Sequence, residues 1–424
     1  MAPIPHKKLQ TTPLAVELLQ RADSINPQSA SRFANLPREL RELIWRFALT
    51  RYEDIDNLYD LDKRFARPGQ AGPLRVAVQL LATCRAIYVE AFLIPFQVNP
   101  LVIFDGDFRD IPPNNPLTRS PAEFGRCDRL KWWQFGNISS VELTLQQFNL
   151  EGGALERVAR IAGTSGRNKG LEHRGYAAVG VAIFKPSENR DPINDTSSLI
   201  ENPCISRKIT HLSIRMSRTD WWGWESPPEY ADRFPSEKLR LEPMINVTSL
   251  AAKPEHSLAM TRGYEARKAG KEPDFGLDDF EKPGRWGPMI EEHWPDLVTL
   301  DLVLETFACK RDQLDYVVEC AKLWKFPLRD GFYLAWKGKE ETVRWRGAES
   351  YAYEYSTAWF QEQNKARNAE GQGPATIRWR PFTPSDGDPE EAQLFVIRTL
   401  TFERMKDDDR FDLRDLHGAS GSRA

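Results

Sequence analysis

Two stretches near the amino terminus carry apolar residues at the spacing of an amphipathic helix. In the first stretch these residues recur at steps of four, four and three: Leu36, Leu40, Ile44 and Phe47. Such a spacing places all four on one face of a helix. Pro37 suits the first turn, because the N–H that proline lacks has no partner there anyway. The pattern therefore predicts a helix with one apolar stripe.

The second stretch, residues 80–92, repeats this character. Its apolar residues fall on one stripe and its border: Leu80, Leu81, Cys84, Ile87, Tyr88, Ala91 and Phe92. Pro95 is expected to end this helix, because proline cannot continue the hydrogen-bond ladder. Between the two helices the periodicity is lost, and "RPGQAGP" at 67–73 predicts a loop.

Beyond residue 105 the pattern changes to the alternation that is typical of strands. Three stretches share an apolar-x-x-apolar-x-apolar rhythm: residues 138–145, 209–216 and 296–304. Further strands are predicted at 101–104, 177–184, 331–338, 375–382 and 393–402, and helices at 151–162 and 310–326. Strands that alternate with helices indicate a mixed or largely parallel sheet with helices packed on it. The predicted fold class is therefore α/β (α+β).

These patterns divide the chain into four parts. We expect a flexible tail over 1–30, a helical module over 31–106, a mixed α/β domain over 107–405 and a second flexible tail over 406–424. Within the large domain, the stretches 217–293 and 361–392 are rich in Pro, Gly and charge, which predicts long loops or short helices on the surface.

Charge and composition limit the binding partners and the cellular compartment that can be expected. The 58 basic and 61 acidic side chains leave a net charge of −3, which gives no general attraction for nucleic acid or for a membrane surface. The chain has no apolar leader and no run of 18 apolar residues. Its 5 cysteines form no C-x-x-C pair and indicate reduced thiols. A cytoplasmic or nuclear protein is expected.

Motifs for catalysis or metal binding are missing from the sequence. No two of the 6 histidines share the i, i+4 spacing of a helical metal site, and no G-x-S-x-G elbow occurs. "GTSGRNKG" at 163–170 lacks the order of a phosphate-binding loop. His211 lies within a strand pattern, where a structural role is expected. We therefore predict a protein that is not an enzyme and that holds neither cofactor nor metal.

The segment "WWGWESPPEY" at 221–230 is the densest aromatic cluster in the sequence. If Trp221, Trp222 and Trp224 are exposed, they form a surface for a partner or a ligand, since aromatic rings supply large contact areas. If they are packed down, they anchor an irregular loop to the sheet. The packed alternative is favoured, because large aromatic side chains are mostly buried.

The two opening helices carry a family resemblance. "NLPRELRELIWRFAL" followed by "LLATCRAIYVEAF" resembles the F-box-like amino-terminal region of a set of filamentous-fungal proteins, and the match covers about residues 33–106. It implies a three-helix module that binds the Skp-type adaptor of a cullin–RING ubiquitin ligase, while the downstream domain captures a protein substrate. By position, the implied adaptor-binding residues are Leu36, Pro37, Leu40, Ile44, Leu80, Leu81, Cys84 and Arg85. The later sheet also resembles an irregular leucine-rich-repeat-like region.

Other interpretations stay open at this point. The link between the helices, residues 51–75, is longer than the short turn of an ordinary F-box, so it could cover the docking surface. Both apolar stripes could instead pack against the chain's own large domain. The protein would then be a stand-alone interaction or scaffold protein, or an enzyme whose site lies among the long loops.

Overall fold

A mixed seven-stranded sheet forms the centre of the protein in a computed structural model. The structure describes residues 13–21, 23, 25, 26, 28–59, 66–105, 134, 136–162, 209–224, 228, 238–246, 258–277, 285–347, 351–353, 365, 367, 369, 379–381 and 393–406. In the amino-terminal part the helices are α1 (Leu14–Leu19), α2 (Arg38–Ala48), α3 (Arg85–Ala91) and α4 (Ile94–Val98). The later helices are α5 (Gln147–Glu151), α6 (Ala154–Ala162), α7 (Ala259–Lys268), α8 (Trp286–His293) and α9 (Arg311–Ala321).

The strands fall into the large sheet and two short pairs. The large sheet contains β3 (Leu101–Asp105), β4 (Ser140–Leu145), β5 (His211–Met216), β6 (Thr299–Phe307), β7 (Lys325–Pro327), β8 (Phe332–Arg346) and β11 (Leu394–Lys406). The antiparallel pairs are β1 (Tyr52–Glu53) with β2 (Leu74–Arg75), and β9 (Tyr351–Tyr353) with β10 (Trp379–Pro381). The sequence-predicted sheet with helices packed on it is therefore confirmed as an α+β fold.

Half of the large sheet is parallel and sequential. Strands β3, β4, β5 and β6 lie side by side in chain order and run in the same direction. The antiparallel strands β11, β8 and β7 continue the sheet beyond β6. In the parallel half the registers align, so that Leu143, Ile214 and Leu302 are neighbours across three strands. The shared rhythm of the three predicted strands therefore reflects one continuous surface.

The core lies on the apolar face of this parallel half. Alternate residues point to the same side of a strand, and on this face they are fully buried, as at Val141, Leu212 and Leu300. Helices α5, α6, α8 and α9 supply the opposing layer, with side chains such as Leu155 and Val317 in the same cluster. The opposite face carries the polar alternates of the same strands and is available for other contacts.

Several sequence predictions need correction. The predicted tail over 1–30 contains α1, whose Ala15 is fully buried beside Phe92. The predicted helix over 80–92 is a 3₁₀ turn at 78–82 followed by α3, because Cys84 adopts an extended backbone between them. The preceding helix α3 already ends at Ala91, and Pro95 is the second residue of α4, a position where a missing N–H is tolerated.

Other boundaries also differ. Strand β3 was placed in the helical module, yet it pairs with β4 and is an edge of the large sheet. The stretch 217–293, where long loops or short helices are predicted, contains the short helices α7 and α8. The predicted helix at 151–162 is divided into α5 and α6. The strand predicted at 177–184 lies outside the described residues.

Removing a side chain from the centre of the apolar face tests this account. Leu302 is fully buried between β5 and β11. Leu302→Ala should lower the free energy of unfolding by about 3 kcal/mol, from lost transfer energy and a residual cavity. Val298, which is 48% exposed at the start of β6, is the control, and Val298→Ala should change stability by less than about 0.5 kcal/mol. Equal losses in urea unfolding would contradict the assignment of the core.

Candidate functional site

The apolar stripe of α2 faces outward. Leu40 is 49% exposed, Leu43 64%, Ile44 42% and Phe47 86%. These four residues, called the α2 stripe below, follow the i, i+3, i+4, i+7 spacing of one helix face. Single exposed apolar residues are common on proteins, but a contiguous helical stripe is characteristic of an interaction surface. The described part of the chain leaves this face of α2 uncovered.

Helix α2 is held by its other side. Trp45 and Leu49 are buried and pack with Ala91 and Ile94 in a cluster separate from the sheet core. The ring of Phe33 meets Trp45 edge-on, with the ring centroids 4.8 Å apart. The helix is therefore anchored to its own module without using the stripe.

A polar contact fixes the same orientation. The guanidinium of Arg41 donates to the Glu90 carboxylate at 2.8 Å, which ties α2 to α3. It also donates to the carbonyl oxygens of Leu36 and Ala34, at 2.6 and 3.1 Å, just before the helix begins. These hydrogen bonds hold the Arg41 side chain against its own module. The α2 stripe, on another side of the helix, faces solvent.

The sequence-predicted adaptor-binding residues divide into two groups. Pro37, Leu40, Ile44 and Arg85 are exposed, whereas Leu36, Leu80, Leu81 and Cys84 are partly buried. Leu80 and Leu81 pack against the cluster of Trp45 and Leu49. The second group thus contributes to the interior of the module, and α2 supplies most of the exposed part of the implied adaptor-binding surface. The helical spacing of the sequence also places Leu43 and Phe47 on this face, and both are exposed, although neither is among the implied adaptor-binding residues.

The insert between the helices lies against the polar face of the sheet. Strands β1 and β2 close it into a hairpin, and Gly69 takes the positive φ of 77° that the turn from Arg67 to Gln70 needs. Arg67 reaches across to Ser217 at 3.1 Å and stacks over the Phe104 ring. The described residues of the insert therefore do not cover the docking surface, because the α2 stripe stays exposed.

A pocket of about 360 Å³ opens between this insert and the sheet. Its wall comes from the insert and from the turn before β3, and its floor from β4, β5 and β6. The lining residues are Arg51, Arg67, Pro68, Gly69, Gln70, Leu74, Pro100, Ser140, Glu142, His211, Ser213, Arg215 and Asp301. The volume is that of a small-molecule site, and the lining is mostly polar. No sequence pattern predicts this pocket, because its residues come from segments up to about 250 positions apart.

Some of the charged side chains in the pocket form close polar contacts. Arg51 donates to Glu142 at 2.5 Å. Burial alone would raise the pKa of the Glu142 carboxyl, but Arg51, with Arg215 and Arg67 behind it, holds that pKa below its ordinary value. His211 contacts Thr299 through Nδ1 at 2.5 Å and Asp301 through Nε2 at 3.4 Å. The expected structural role of this histidine agrees with these contacts, although it also lines the pocket.

The pocket is not arranged for nucleophilic catalysis. Within the described residues, no hydrogen bond joins Ser213 or Ser140 to His211, so a serine–histidine pair is not formed. No group of three or more potential metal ligands occurs among the residues that the structure describes. The arrangement can bind a polar ligand through arginines, hydroxyls and carboxylates.

The tryptophan cluster is packed. Trp221 is 2% exposed, lies in the sheet core and donates through Nε1 to the Glu305 carbonyl at 2.7 Å. This burial excludes Trp221 as a partner surface. Trp222 and Trp224 are partly buried, and Trp224 stacks on Phe307. The carbonyl oxygens of Gly223 and Trp224 accept bonds from the buried Lys310 ammonium, at 2.6 and 3.1 Å, which fastens this loop to the sheet.

Trp222 completes a buried polar network. Its indole Nε1 donates to Glu151 at 3.0 Å, and the Gln147 amide donates to the other carboxylate oxygen at 2.8 Å. Burial raises the pKa of Glu151 to about 7, although both hydrogen bonds and the charge of Arg240 act in the opposite direction. The Glu151 carboxyl therefore lies beneath the aromatic loop and forms no ion pair with any described residue.

Comparisons with known proteins add no relative: no family model matches the chain, no curated protein matches it in sequence, and no solved structure matches it. Within the described ranges, no helix has both the length and the apolar character needed to cross a membrane. The geometry of the α2 stripe and of the pocket must therefore carry any functional argument.

The raised pKa of Glu151 predicts a pH-dependent stability. The folded state holds the proton of the Glu151 carboxyl more tightly than the unfolded chain does. The contribution of this proton to the free energy of unfolding is therefore complete below pH 4.5 and is lost as the pH rises through about 7. The loss is on the order of 3 kcal/mol by pH 8. In urea unfolding across this range, Glu151→Gln should flatten the decline, whereas Glu291→Gln, at an exposed site on α8, should keep it. Parallel curves for wild type and Glu151→Gln would contradict the assignment.

Proposed function

We propose that the chain is a non-catalytic interaction adaptor that docks through the α2 stripe, and that its partner is the Skp-type adaptor of a cullin–RING ubiquitin ligase. Leu40, Leu43, Ile44 and Phe47 form the centre of the contact, and Pro37 and Arg85 border it. The observation that carries this proposal is the outward orientation of four large apolar side chains on a helix whose other face is already anchored.

The energetics favour a partner that covers more than one helix face. Burying the exposed parts of these four side chains would contribute on the order of 5 kcal/mol. Association itself costs about 4–15 kcal/mol in lost rigid-body freedom, so the stripe alone gives at most weak binding. A stable complex needs further contacts from the same module. The exposed apolar side chains nearby in sequence, Ile55, Leu58 and Val78, are available for them.

The large domain then serves to capture a protein substrate. Its sequential parallel strands, with helices on one face and polar side chains on the other, support the leucine-rich-repeat-like interpretation. In such an arrangement the strand face without helices is the one open to ligands. We infer that substrate recognition uses this domain.

The proposal implies a reducing compartment, the cytoplasm or the nucleus, where such ligases act. Cys84 and Cys320 are free thiols in the structure, which agrees with that assignment. A stand-alone scaffold that uses the same stripe for a different partner is the alternative. The identity of the protein that co-purifies with the chain distinguishes the two.

Charges introduced on the stripe should abolish adaptor binding without unfolding the protein. The double variant Ile44→Asp/Phe47→Asp places two carboxylates in the centre of the contact, where burial without a partner is costly. Co-purification with a Skp-type adaptor should fall at least tenfold. Thermal unfolding should shift by no more than about 2 °C, because both side chains are exposed.

Leu258→Asp is the matched control. Leu258 is exposed and occupies the N-cap of α7, a position at which aspartate is favourable. This variant adds a carboxylate at an exposed leucine far from the stripe in sequence and should bind the adaptor like the wild type. Adaptor binding that survives in the double variant, or that is never detected with the wild type, would exclude the ligase proposal.

A further inference from the structure

We propose that the pocket between the insert and the parallel strands binds a small ligand that carries an oxyanion, a carboxylate or a phosphate, and that Arg215 and Arg67 hold this group. The proposal goes beyond the adaptor function and does not depend on it. It rests on the pocket's size, on its buried arginines and on the order of polar side chains along its floor.

The first observation is a buried cation without a countercharge in contact. Arg67 is only 6% exposed, yet its guanidinium donates to the neutral hydroxyls of Ser217 and Thr144. No carboxylate of the described residues forms a salt bridge with it. Removing a cation from water costs several kcal/mol unless a partner compensates. Arg67 therefore leaves positive charge available at this end of the pocket.

Electrostatics agree with this geometry. Burial, and then the neighbouring Arg215, lower the pKa of Arg67 to about 10. The carboxylates of Glu305, Glu142 and Asp220 act in the opposite direction but do not offset the two larger effects. The Arg67 cation is thus less stable here than in water, and a bound anion would restore its stability.

The second observation is that Arg215 lines the pocket with two guanidinium nitrogens that have no hydrogen-bond partner among the described residues. Its Nε and Nη1 are shielded from solvent and make no hydrogen bond, and Nη1 of Arg51 is in the same state. Buried guanidinium donors that stay unpaired are uncommon, because each one costs free energy. Arginine presents donors in a planar arrangement that matches the oxygens of carboxylate and phosphate.

The strand registers arrange the pocket floor in rows. Arg215 lies on the row of Thr144, toward the carboxyl ends of the strands, where Arg67 also reaches. The next row holds Glu142, Ser213 and Asp301. The last row holds Ser140, His211 and Thr299.

The order of the side chains along the pocket floor indicates which chemical groups a ligand should carry. Cationic groups gather at one end of the floor, and carboxylates with hydroxyls occupy the rest. The ligand should therefore place its oxyanion against the arginines and turn hydroxyl or amino groups toward Glu142 and Asp301. Small hydroxy acids and sugar phosphates have this distribution of groups.

The test measures the stability of the full chain with and without small anions. Inorganic phosphate, malonate and glycerol 3-phosphate are added separately, with sodium chloride at matched ionic strength as reference. At concentrations severalfold above Kd, a binding anion should raise the Tm of the wild type by about 3 °C or more. Whichever of phosphate and malonate raises Tm more identifies the preferred oxyanion. A larger rise in Tm with glycerol 3-phosphate than with phosphate indicates contacts to the ligand's hydroxyl groups.

Substitution at Arg215 separates ligand binding from a structural role. Because Nε and Nη1 of Arg215 are buried without hydrogen bonds among the described residues, Arg215→Met should fold with an unchanged or higher Tm in chloride and should lose the response to anions. Arg262→Met removes an exposed arginine of α7 and should keep the wild-type response. If Arg215→Met does not fold, Arg215→Lys keeps the charge, and calorimetric titration should show binding at least tenfold weaker than to the wild type.

Two results would overturn the proposal. One is that none of the three anions stabilises the wild type beyond chloride. The other is that Arg215→Met, or Arg215→Lys in its place, binds the anion as the wild type does. The Ile44→Asp/Phe47→Asp variant should keep the full anion response, so failure here and failure of the adaptor proposal are seen separately.

Discussion

The alternation of apolar and polar side chains along β4, β5 and β6 is the constraint on which the rest of the structure depends. Because the three strands are parallel and in register, their apolar residues merge into one face, which the helices cover. The polar alternates merge into the other face by the same geometry. That second face receives the insert between the helices and becomes the floor of the pocket. One periodicity of two residues thus builds both the core and a binding surface.

The helical module uses the corresponding property of an α-helix. Helix α2 has two apolar faces of different size, one around Trp45 and Leu49 and one made of the α2 stripe. The bulkier aromatic side is anchored within the module, and the Arg41–Glu90 pair holds the helix in that orientation. The remaining apolar surface is left outward. The proposed adaptor contact and the proposed anion pocket therefore lie on separate parts of the fold, the first on a helix face and the second on a sheet face.

Local elements were predictable because their signals are local. The strands at β4, β5 and β6 and the helix α9 lie within a few residues of their predicted positions, since alternation and helical spacing depend only on neighbouring residues. The break at Cys84 and the burial of Ala15 were not predictable. The burial of Ala15 depends on its packing with Phe92, which is distant in the sequence. For the same reason the aromatic cluster could be either packed or exposed until Trp221 was seen in the core.

The sequence by itself determined the class of fold, the apolar stripe of α2 and the alternating faces of the strands, because these follow from the fixed periods of helix and strand. Only the tertiary structure decided that Ile44 and Phe47 face outward, and that Arg51, Arg67 and Arg215 meet across the sheet. An apolar stripe has the same pattern whether its own chain or a partner covers it. Arginines separated by up to 164 positions are brought together only by strand pairing and by the path of the insert.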